Sequence, residues 1–509
     1  MQAHDTIAAV DLGTNSFRLQ VARIIDDQIY PLDSLKESVR LAAGLTDDNQ
    51  LDPAAQERAL ACLKRFNERL RDLPREAVRA VGTNTFRVAN NAQAFIQAAE
   101  AALGFPIDIV AGREEARLIY LGVSRGLPIS AAKRLVVDIG GGSTEFIIGQ
   151  GFDPLEMESL YMGCVSFTQR YFPDGKIGKN ALQKAELAAR AEVQAITSGF
   201  AAGAWQEAVG SSGTARALAD IMQQNGWSDG SITALGIEKL RGLLVKAGEV
   251  KALSLPGLQG DRLPVLPGGF AIMAGIFAEL DIEKMTVTGG ALREGVLHDL
   301  LGRFHHHDQR DATATQFMRR YHVDMQQAAR VEALALALFD QVAAHITQDV
   351  ENARRLLIWA SRLHEVGITI AHAGYHKHSA YILGNADMPG FSKIDQARLS
   401  RLARTHRGGL VKAKREQPIE EESWELIAIL RLAALLCRNR RDPDQNALRY
   451  QRDGSAMRLI IDPQWLADSP LTETLLEEEI QQWKAVGGSL EVEYRHTFQK
   501  NVPGKIGAG

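Results

Sequence analysis

Two glycine-rich strings, 127 residues apart, constrain the fold of this chain more than any other feature. The first runs from Asp11 to Phe17 (DLGTNSF) and the second from Asp138 to Phe146 (DIGGGSTEF). Apolar runs lie on both sides of each string, so each predicts a strand that ends in an aspartate, a tight turn and a second strand. Glycine allows a backbone to approach a ligand closely and to adopt φ > 0, and successive N–H groups with Ser or Thr hydroxyls suit phosphate oxygens. The repeat therefore predicts two α/β halves of similar topology with a phosphate-binding cleft between them.

Each string alone is also compatible with an ordinary turn, because glycine-rich turns close many hairpins that bind nothing. Neither string is a Walker A or a G-x-G-x-x-G motif, so P-loop and dinucleotide-binding proteins have no support here. The recurrence of the string is what favours a ligand-binding interpretation.

Composition limits the class of protein. A length of 509 residues predicts about three domains, and 45% hydrophobic with 24% charged residues is typical of a soluble globular protein. The net charge of −4 argues against a nucleic-acid-coating protein. No apolar run is long enough to span a membrane, no secretory signal is visible, and the three cysteines form no C-x-x-C pair. We therefore expect a cytoplasmic protein; peripheral association with a membrane stays open.

Hydrophobic periodicity predicts a mixed α/β pattern in residues 1–125 and again in 126–305, the latter ending near His305–His307. A mostly helical domain with a small C-terminal α+β segment is predicted for 306–509. The predicted helices are Pro53–Leu70, Asn91–Leu103, Phe270–Leu280 after a loop at 253–269, Thr313–Tyr321, Met325–Thr347, Arg354–Leu363, Ile394–Arg404 and Ser423–Cys437. Met457–Ile461 and Ser489–Tyr494 are predicted strands of a small closing sheet.

Several strings, in the same order, resemble the exopolyphosphatase and guanosine pentaphosphate phosphohydrolase family, and most closely its long exopolyphosphatase branch. They are Ala9–Phe17, Val81–Arg87, Gly112–Arg117, Val137–Glu145, Met162–Phe167, Ser211–Thr214, Gly289–Leu297 and Leu363–Leu383. This family is part of the superfamily of acetate and sugar kinases, heat-shock chaperones and actin. The resemblance implies two actin-like (ribonuclease H-like) subdomains around a cleft, followed by a helical HD-like domain.

The resemblance also assigns roles to residues. It implies Glu115 as general base, with Arg87, Asp138 and Glu145 in the catalytic machinery, although an acidic pair such as Glu114-Glu115 is usually a solvated surface feature. The phosphate-binding candidates are Gly13, Thr14, Asn15, Ser16, Arg18, Gly140, Gly141, Gly142, Ser143 and Thr144. A solvated arginine is the ordinary alternative for Arg18 and Arg87, and a turn-capping residue is the alternative for Asp11 and Asp138.

Magnesium, or manganese, is the expected cofactor, because hard cations prefer carboxylate and phosphate oxygens. Asp138 and Glu145 are the implied ligands, with Asp11 a further candidate. In the helical domain, the string around His364-Glu365 resembles an HD-type metal helix, but Glu365 stands where the defining Asp would be. A catalytically inactive site with structural histidines is favoured there over a functional metal site.

A basic run extends over Arg398, Arg401, Arg404, Arg407, Lys412, Lys414 and Arg415. Such a run is usually a solvated helix face, and a track for a long polyanion is the alternative.

Taken together, the sequence predicts an exopolyphosphatase that releases orthophosphate from linear inorganic polyphosphate. The alternative is hydrolysis of guanosine pentaphosphate to the tetraphosphate, a reaction of the stringent response, and one protein could perform both. A sugar or acid kinase is disfavoured, since Glu115 would then lack a purpose. A non-enzymatic nucleotide sensor is disfavoured because both glutamates are present. The resemblance further implies a homodimer.

Overall fold

The computed structural model describes residues 5–25, 28–46, 48–128, 130–304, 308–346, 349–416, 423–444, 447–454, 456–467 and 470–495. The chain divides into two compact units. The first unit comprises Met1–Gln309 with Pro389–Lys393, and the second, called the helical domain below, comprises Arg310–Met388 with Ile394–Gly509. The predicted boundary at His305–His307 falls on residues outside the described ranges.

The first unit begins with a five-stranded sheet in the order β3-β2-β1-β4-β5. Strands β1, β2 and β3 form an antiparallel meander, and β4 and β5 run parallel to β1. The strands are β1 Thr6–Leu12, β2 Phe17–Ile25, β3 Gln28–Glu37, β4 Val78–Gly82 and β5 Ile107–Ile109. The accompanying helices are α1 Pro53–Leu70, α2 Asn84–Val88, α3 Ala92–Leu103 and α4 Gly112–Gly126.

A second sheet in the same unit repeats this topology, in the order β8-β7-β6-β9-β11-β10. Again a three-stranded meander is followed by two strands, β9 and β11, that run parallel to its first member, and the two-residue strand β10 pairs antiparallel with β11 at the edge. The strands are β6 Arg134–Ile139, β7 Thr144–Gln150, β8 Asp153–Leu160, β9 Glu207–Gly210, β10 Ile232–Thr233 and β11 Lys284–Val287. The helices are α5 Cys164–Tyr171, α6 Lys179–Gln194, α7 Thr197–Phe200, α8 Gly213–Gln224, α9 Ala234–Ala247, α10 Leu266–Glu279 and α11 Leu292–Phe304. The prediction of two α/β halves with one topology is confirmed.

Two helices of the first unit are buried far beyond the usual single stripe. Every residue of α10 from Leu266 to Phe277 is buried, which fits a helix that is apolar all round. Helix α4 carries ten buried residues, among them the charged Glu114, Glu115 and Arg117. Glu114 and Glu115 are only 3% and 7% exposed, so the solvated surface that is usual for such an acidic pair is not what this pair forms.

The helical domain contains α12 Gln309–Arg320, α13 Met325–Val342, α14 Val350–Leu363, α15 Tyr375–Asn385, α16 Lys393–Thr405, α17 Leu410–Glu416, α18 Ser423–Leu436, α19 Pro463–Ala467 and α20 Pro470–Ala485. It also has a three-stranded sheet of β12 Leu448–Asp453, β13 Ala456–Ile461 and β14 Ser489–Tyr494. Mixed α/β sheets followed by a mostly helical domain confirm the predicted fold class. Across the described ranges, no helix combines the length and apolarity needed to cross a membrane.

Several predicted element ends were wrong. Helix α10 begins at Leu266 rather than at residue 270, because Pro267 occupies the first turn, where a missing N–H costs nothing. Helix α13 ends at Val342 and not near residue 347, after which a short 3-10 turn follows. Strand β1 continues one residue beyond Asp11. Helices α15 and α20 were not predicted.

Candidate active site

The two predicted loops close the β1–β2 and β6–β7 hairpins of the first unit. In the strand register, Asp11 lies opposite Arg18, and Asp138 lies opposite Glu145. The two hairpins therefore place a pair of charged side chains at equivalent positions beside each loop.

The loops contact each other directly. A Cβ atom built on Gly141 would lie 2.8 Å from both Cβ and Cγ2 of Thr14, and one on Gly142 would lie 2.3 Å from Oδ1 of Asn84. Neither loop contains a residue with positive φ, so the conformational freedom of glycine is not what these positions use. Their role is to permit close approach, as glycine alone leaves room for the opposing loop. The hydroxyl of Thr85 also donates to that of Thr14 at 3.1 Å.

A cavity of about 130 Å³ lies where the loops meet. Of the residues predicted for the site, Asp11, Gly13, Thr14, Asn15, Ser16, Arg18, Glu115, Asp138, Gly140, Gly141 and Ser143 line it. Four predicted residues are not part of its lining: Arg87, Gly142, Thr144 and Glu145. The Thr144 hydroxyl is fully buried and donates to the backbone oxygen of Met162 at 2.6 Å, so it is engaged within the fold.

Glu115 is held in position by Arg87. The Nη1 atom of Arg87 donates 2.8 Å hydrogen bonds to Oε2 of Glu115 and to the backbone oxygen of Val110. Although burial alone would lower it, the Glu115 carboxylate raises the pKa of Arg87 above its usual range. Glu115 also lies in the first turn of α4, where the helix dipole favours a negative charge. Glu115 is thus held by Arg87 at the edge of the cavity.

Three further carboxyl groups are crowded around the same point. Burial, reinforced by the charge of Glu115, raises the pKa of Asp11 to about 7, that of Asp138 to about 6 and that of Glu145 well above its usual value. Ser211 donates to Oδ2 of Asp138 at 2.5 Å. Such a cluster of buried acidic groups favours a bound cation or a retained proton.

The carboxylates at the cavity fit a magnesium ion that is also bound by substrate and water. Among the described residues, no group of three or more His, Cys, Asp or Glu side chains could by itself hold a metal ion. Magnesium, however, commonly binds through one or two carboxylates together with substrate phosphates and water. The opposed pair Asp138 and Glu145 fits that mode, and its role as a metal site stays a prediction.

Four arginines also line the cavity, of which sequence reasoning identified one. They are Arg18, Arg216, Arg262 and Arg293. Burial lowers the pKa of Arg18, and the charges of the other three arginines add to this effect, whereas Asp11 opposes it. The three others lie next to or within segments noted above: the family strings Ser211–Thr214 and Gly289–Leu297, and the loop at 253–269. Nothing in their spacing marked them, because they converge through the fold. The cavity therefore brings carboxylate and guanidinium groups together, a combination that suits a polyphosphate group and its metal ion.

A buried ionic network supports the helix that carries Glu115. Arg117 donates to Glu114 at 2.8 and 2.9 Å and also to Asp299, and Asp299 accepts a 2.5 Å hydrogen bond from Arg79. On its other side, Glu114 accepts from the backbone N–H of Gly390 at 2.8 Å. The network fixes the turn of α4 from which Glu115 projects.

In the helical domain, the HD-like string does not form a metal centre within the described residues. Glu365, which replaces the defining Asp, instead binds Arg440 at 2.9 and 3.0 Å. The Nδ1 atom of His364 faces the backbone oxygen of Ser361 at 2.7 Å. Whether these histidines are structural stays a prediction.

Fold and site together define a phosphatase with two α/β subdomains, and comparison with known proteins identifies its family. The family model described as the Ppx/GppA phosphatase family matches residues 20–304, and that described as Ppx/GppA phosphatase, domain III, matches residues 309–480. The chain belongs to the Ppx/GppA phosphatase family, whose members hydrolyse phosphoanhydrides.

Individual relatives add detail. The chain is 38% identical over 487 residues to a guanosine-5'-triphosphate,3'-diphosphate pyrophosphatase of Vibrio atlanticus, covering 96% of this chain and 98% of that protein. Among solved structures, an exopolyphosphatase from Cytophaga hutchinsonii is 25% identical with a TM-score of 0.54, covering 58% of this chain and 98% of that one. An exopolyphosphatase-like protein at 22% identity and a TM-score of 0.53, covering 59% and 98%, shows the fold.

Proposed function

We propose that this protein hydrolyses the terminal phosphoanhydride bond of the 5′-triphosphate of guanosine pentaphosphate, releasing orthophosphate and the tetraphosphate. The observation that carries this choice is the similarity to the Vibrio atlanticus pyrophosphatase, which extends over 96% of the chain. The sequence-based preference for polyphosphate is thereby moved to second place.

The charges of the cavity support a substrate with several phosphate groups. Burial lowers the pKa of Arg18, and the positive charges of three neighbouring guanidinium groups lower it further. A bound polyanion would relieve this repulsion and would gain charge-assisted hydrogen bonds from the same groups. Arginine suits phosphate because its planar fork offers two parallel donors.

The proposed reaction needs positioning, charge neutralisation and an activated water. The two loops would hold the terminal phosphoryl group through backbone N–H groups and the hydroxyls of Thr14, Ser16 and Ser143. Glu115 would accept a proton from the attacking water, and Arg87 would hold its carboxylate in the productive orientation. General-base assistance of this kind typically contributes roughly 10²–10⁴-fold to the rate.

Magnesium is part of the proposal. Asp138 and Glu145 would hold the ion, which would neutralise charge that develops on the phosphate oxygens. Two serine hydroxyls position these carboxylates. Ser211 donates a 2.5 Å hydrogen bond to Asp138, and Ser159 donates a 2.9 Å hydrogen bond to Glu145.

Linear polyphosphate is a second candidate substrate, favoured by the similarity to the Cytophaga hutchinsonii exopolyphosphatase. The basic run, for which a polyanion track is the alternative to a solvated helix face, includes three exposed side chains, Lys412, Lys414 and Arg415. Its four arginines on α16 and immediately after it are half-buried. Its use as a track stays a prediction, as does the homodimer that the resemblance implies.

The test is orthophosphate release measured in parallel from guanosine pentaphosphate, long-chain polyphosphate, short-chain polyphosphate and ATP. We expect the highest kcat/KM with guanosine pentaphosphate, and Glu115→Gln should reduce kcat at least 10²-fold while leaving binding nearly unchanged. Glu158→Gln, at a more exposed carboxylate that pairs with Arg113, is the matched control. A kcat/KM for long-chain polyphosphate above that for guanosine pentaphosphate would reverse the order of the candidates, and near-normal turnover by Glu115→Gln would refute the role of Glu115.

A further inference from the structure

The helical domain contains a second cavity, which the proposed reaction does not use. Its volume is about 680 Å³, within the range of sites for organic ligands of moderate size. The walls come from α13, the turn after α14, the start of α15, the segment after α16, the end of α18 and α20. The chemistry of these walls indicates which class of ligand would fit.

One wall presents a buried hydrogen-bond acceptor that lacks a partner. Gln327 lines the cavity and is only 2% exposed. Its Nε2 atom donates to the backbone oxygen of Cys437 at 2.9 Å, whereas its Oε1 atom has no partner among the described residues. A buried acceptor without a donor costs about 1–3 kcal/mol, so this wall is suited to a ligand that brings an N–H group.

His364 supplies a second acceptor on the same cavity. His364 and His406 are each 2% exposed, and the Nδ1 atom of each lies 2.7 Å from a backbone oxygen, which fixes the proton on Nδ1. Burial lowers the pKa of both rings, so both are neutral at pH 7. The Nε2 atom of His406 accepts from the hydroxyl of Tyr375 at 3.3 Å, while that of His364 lies 4.0 Å from Glu365, beyond hydrogen-bonding distance. The His364 ring thus offers a free acceptor.

Two arginines at the same cavity retain unneutralised charge. Arg431 is neutralised by Glu479 through two 2.6 Å hydrogen bonds, and Arg440 by Glu365. By contrast, Arg407 lies 4.7 Å over the ring of Tyr375 and has no carboxylate partner within the described part of the chain. The exposed Arg438 has no side-chain partner there either. These two guanidinium groups are available for a phosphate.

The remaining wall is apolar and half-buried, formed by Ile368, Ala434, Leu435 and Leu475. Apolar walls with a few placed acceptors and cations match a flat heterocycle that carries N–H donors and a phosphate. From this combination we infer that the cavity of the helical domain binds a purine nucleotide, with the edge of the base donating to Gln327 and His364 and the phosphates contacting Arg407 and Arg438. A bare polyphosphate chain would leave both acceptors without donors and would meet the carboxylates of Glu478 and Glu479.

The experiment is equilibrium binding to the full-length protein, measured by calorimetry with GDP as the probe. We expect Arg438→Gln to weaken one class of GDP sites at least tenfold, whereas the neighbouring exposed arginine variant Arg441→Gln, outside the cavity, should bind as the wild type does. Gln327→Met should weaken the same class of sites, with the exposed Gln326→Met as its control. Thermal unfolding of each variant checks that it is folded. Arg438 is exposed, so its substitution should leave the fold intact and tests the site even if Gln327→Met unfolds.

Comparison of probes identifies the ligand class. GDP or ADP should bind this site more tightly than inorganic phosphate or short-chain polyphosphate, and Mn²⁺ alone should not bind it. Equal GDP binding by Arg438→Gln and Arg441→Gln would overturn the inference, and so would inorganic phosphate binding as tightly as GDP. The readout is binding and not turnover, so this inference can fail without affecting the proposed reaction.

Discussion

Gly141→Ala is the sharpest test of the contact between the two loops. The new Cβ atom would lie 2.8 Å from two carbon atoms of Thr14, whereas ordinary contact begins near 3.4 Å. The loops would therefore have to separate by about 0.6 Å. Since a misplacement of about 1 Å at a reacting centre can cost about 10²-fold in rate, we expect kcat to fall about 10- to 100-fold.

The comparison variant is Gly140→Ala in the same loop. Its Cβ atom would lie 3.1 Å from the backbone oxygen of Ser143 and would not contact the opposing hairpin. We expect a loss of less than about threefold, because a shift of a few tenths of an ångström suffices. Both variants lack a positive φ, so backbone strain does not distinguish them.

The assay is steady-state orthophosphate release from guanosine pentaphosphate at saturating magnesium, with thermal unfolding measured on the same samples. A fall in kcat with an unchanged unfolding temperature supports joint positioning of the phosphate by the two loops. Equal activity of Gly140→Ala and Gly141→Ala would refute it, since the close approach would then have no bearing on the reaction.

Three further outcomes follow from the site and its supports. Arg87→Lys should lower kcat about 10- to 100-fold, because one ammonium group cannot reproduce the guanidinium geometry that holds Glu115; unchanged kinetics would contradict this. Asp299→Asn should reduce the free energy of unfolding at pH 7 by about 3–5 kcal/mol, because it removes the carboxylate that the buried Arg79 and Arg117 share. Arg117 and Arg79 hold the pKa of Asp299 well below its usual range against the effect of burial, so the difference between wild type and variant in urea unfolding should persist above about pH 4 and shrink in stronger acid. Finally, burial lowers the pKa of His406, so the unfolded chain binds more protons below about pH 6.5. The stability of the helical domain, followed by hydrogen exchange of its backbone amides, should therefore fall between pH 7 and pH 5.5; a constant stability would contradict this.

Local patterns in the sequence predicted the parts of the fold that local forces determine. Helix Pro53–Leu70 was predicted to the residue, since Asp52 caps its first turn and Pro53 occupies the first position. Strand Ser489–Tyr494 was also predicted to the residue. Helix α10 begins earlier than predicted because Gly268 and Gly269 lie against Cys164, Thr168 and Thr214, a tertiary contact that overrides the loop-like composition.

The candidate site likewise combines features that the sequence predicted with features that only the folded chain brings together. Its two loops were identifiable because the string occurs twice, and Glu115 because a family resemblance marks it. Arg216, Arg262 and Arg293 come from three separate segments and meet only after folding. The burial of Glu114 could not be predicted either. Its partner Arg117 is three positions away, but Gly390, which donates to it from the other side, is 276 positions away.

The placement of Gly390 has a practical consequence for dissecting this enzyme. Residues 389–393 follow most of the helical segments in the chain, yet they are part of the first unit, where Gly390 satisfies a carboxylate oxygen of Glu114. A fragment that stops at residue 309 would thus remove one hydrogen-bond donor from an acid adjoining Glu115. Loss of turnover in such a fragment would report damage to the catalytic half itself, so the contribution of the C-terminal half is better measured by point substitutions than by deletion.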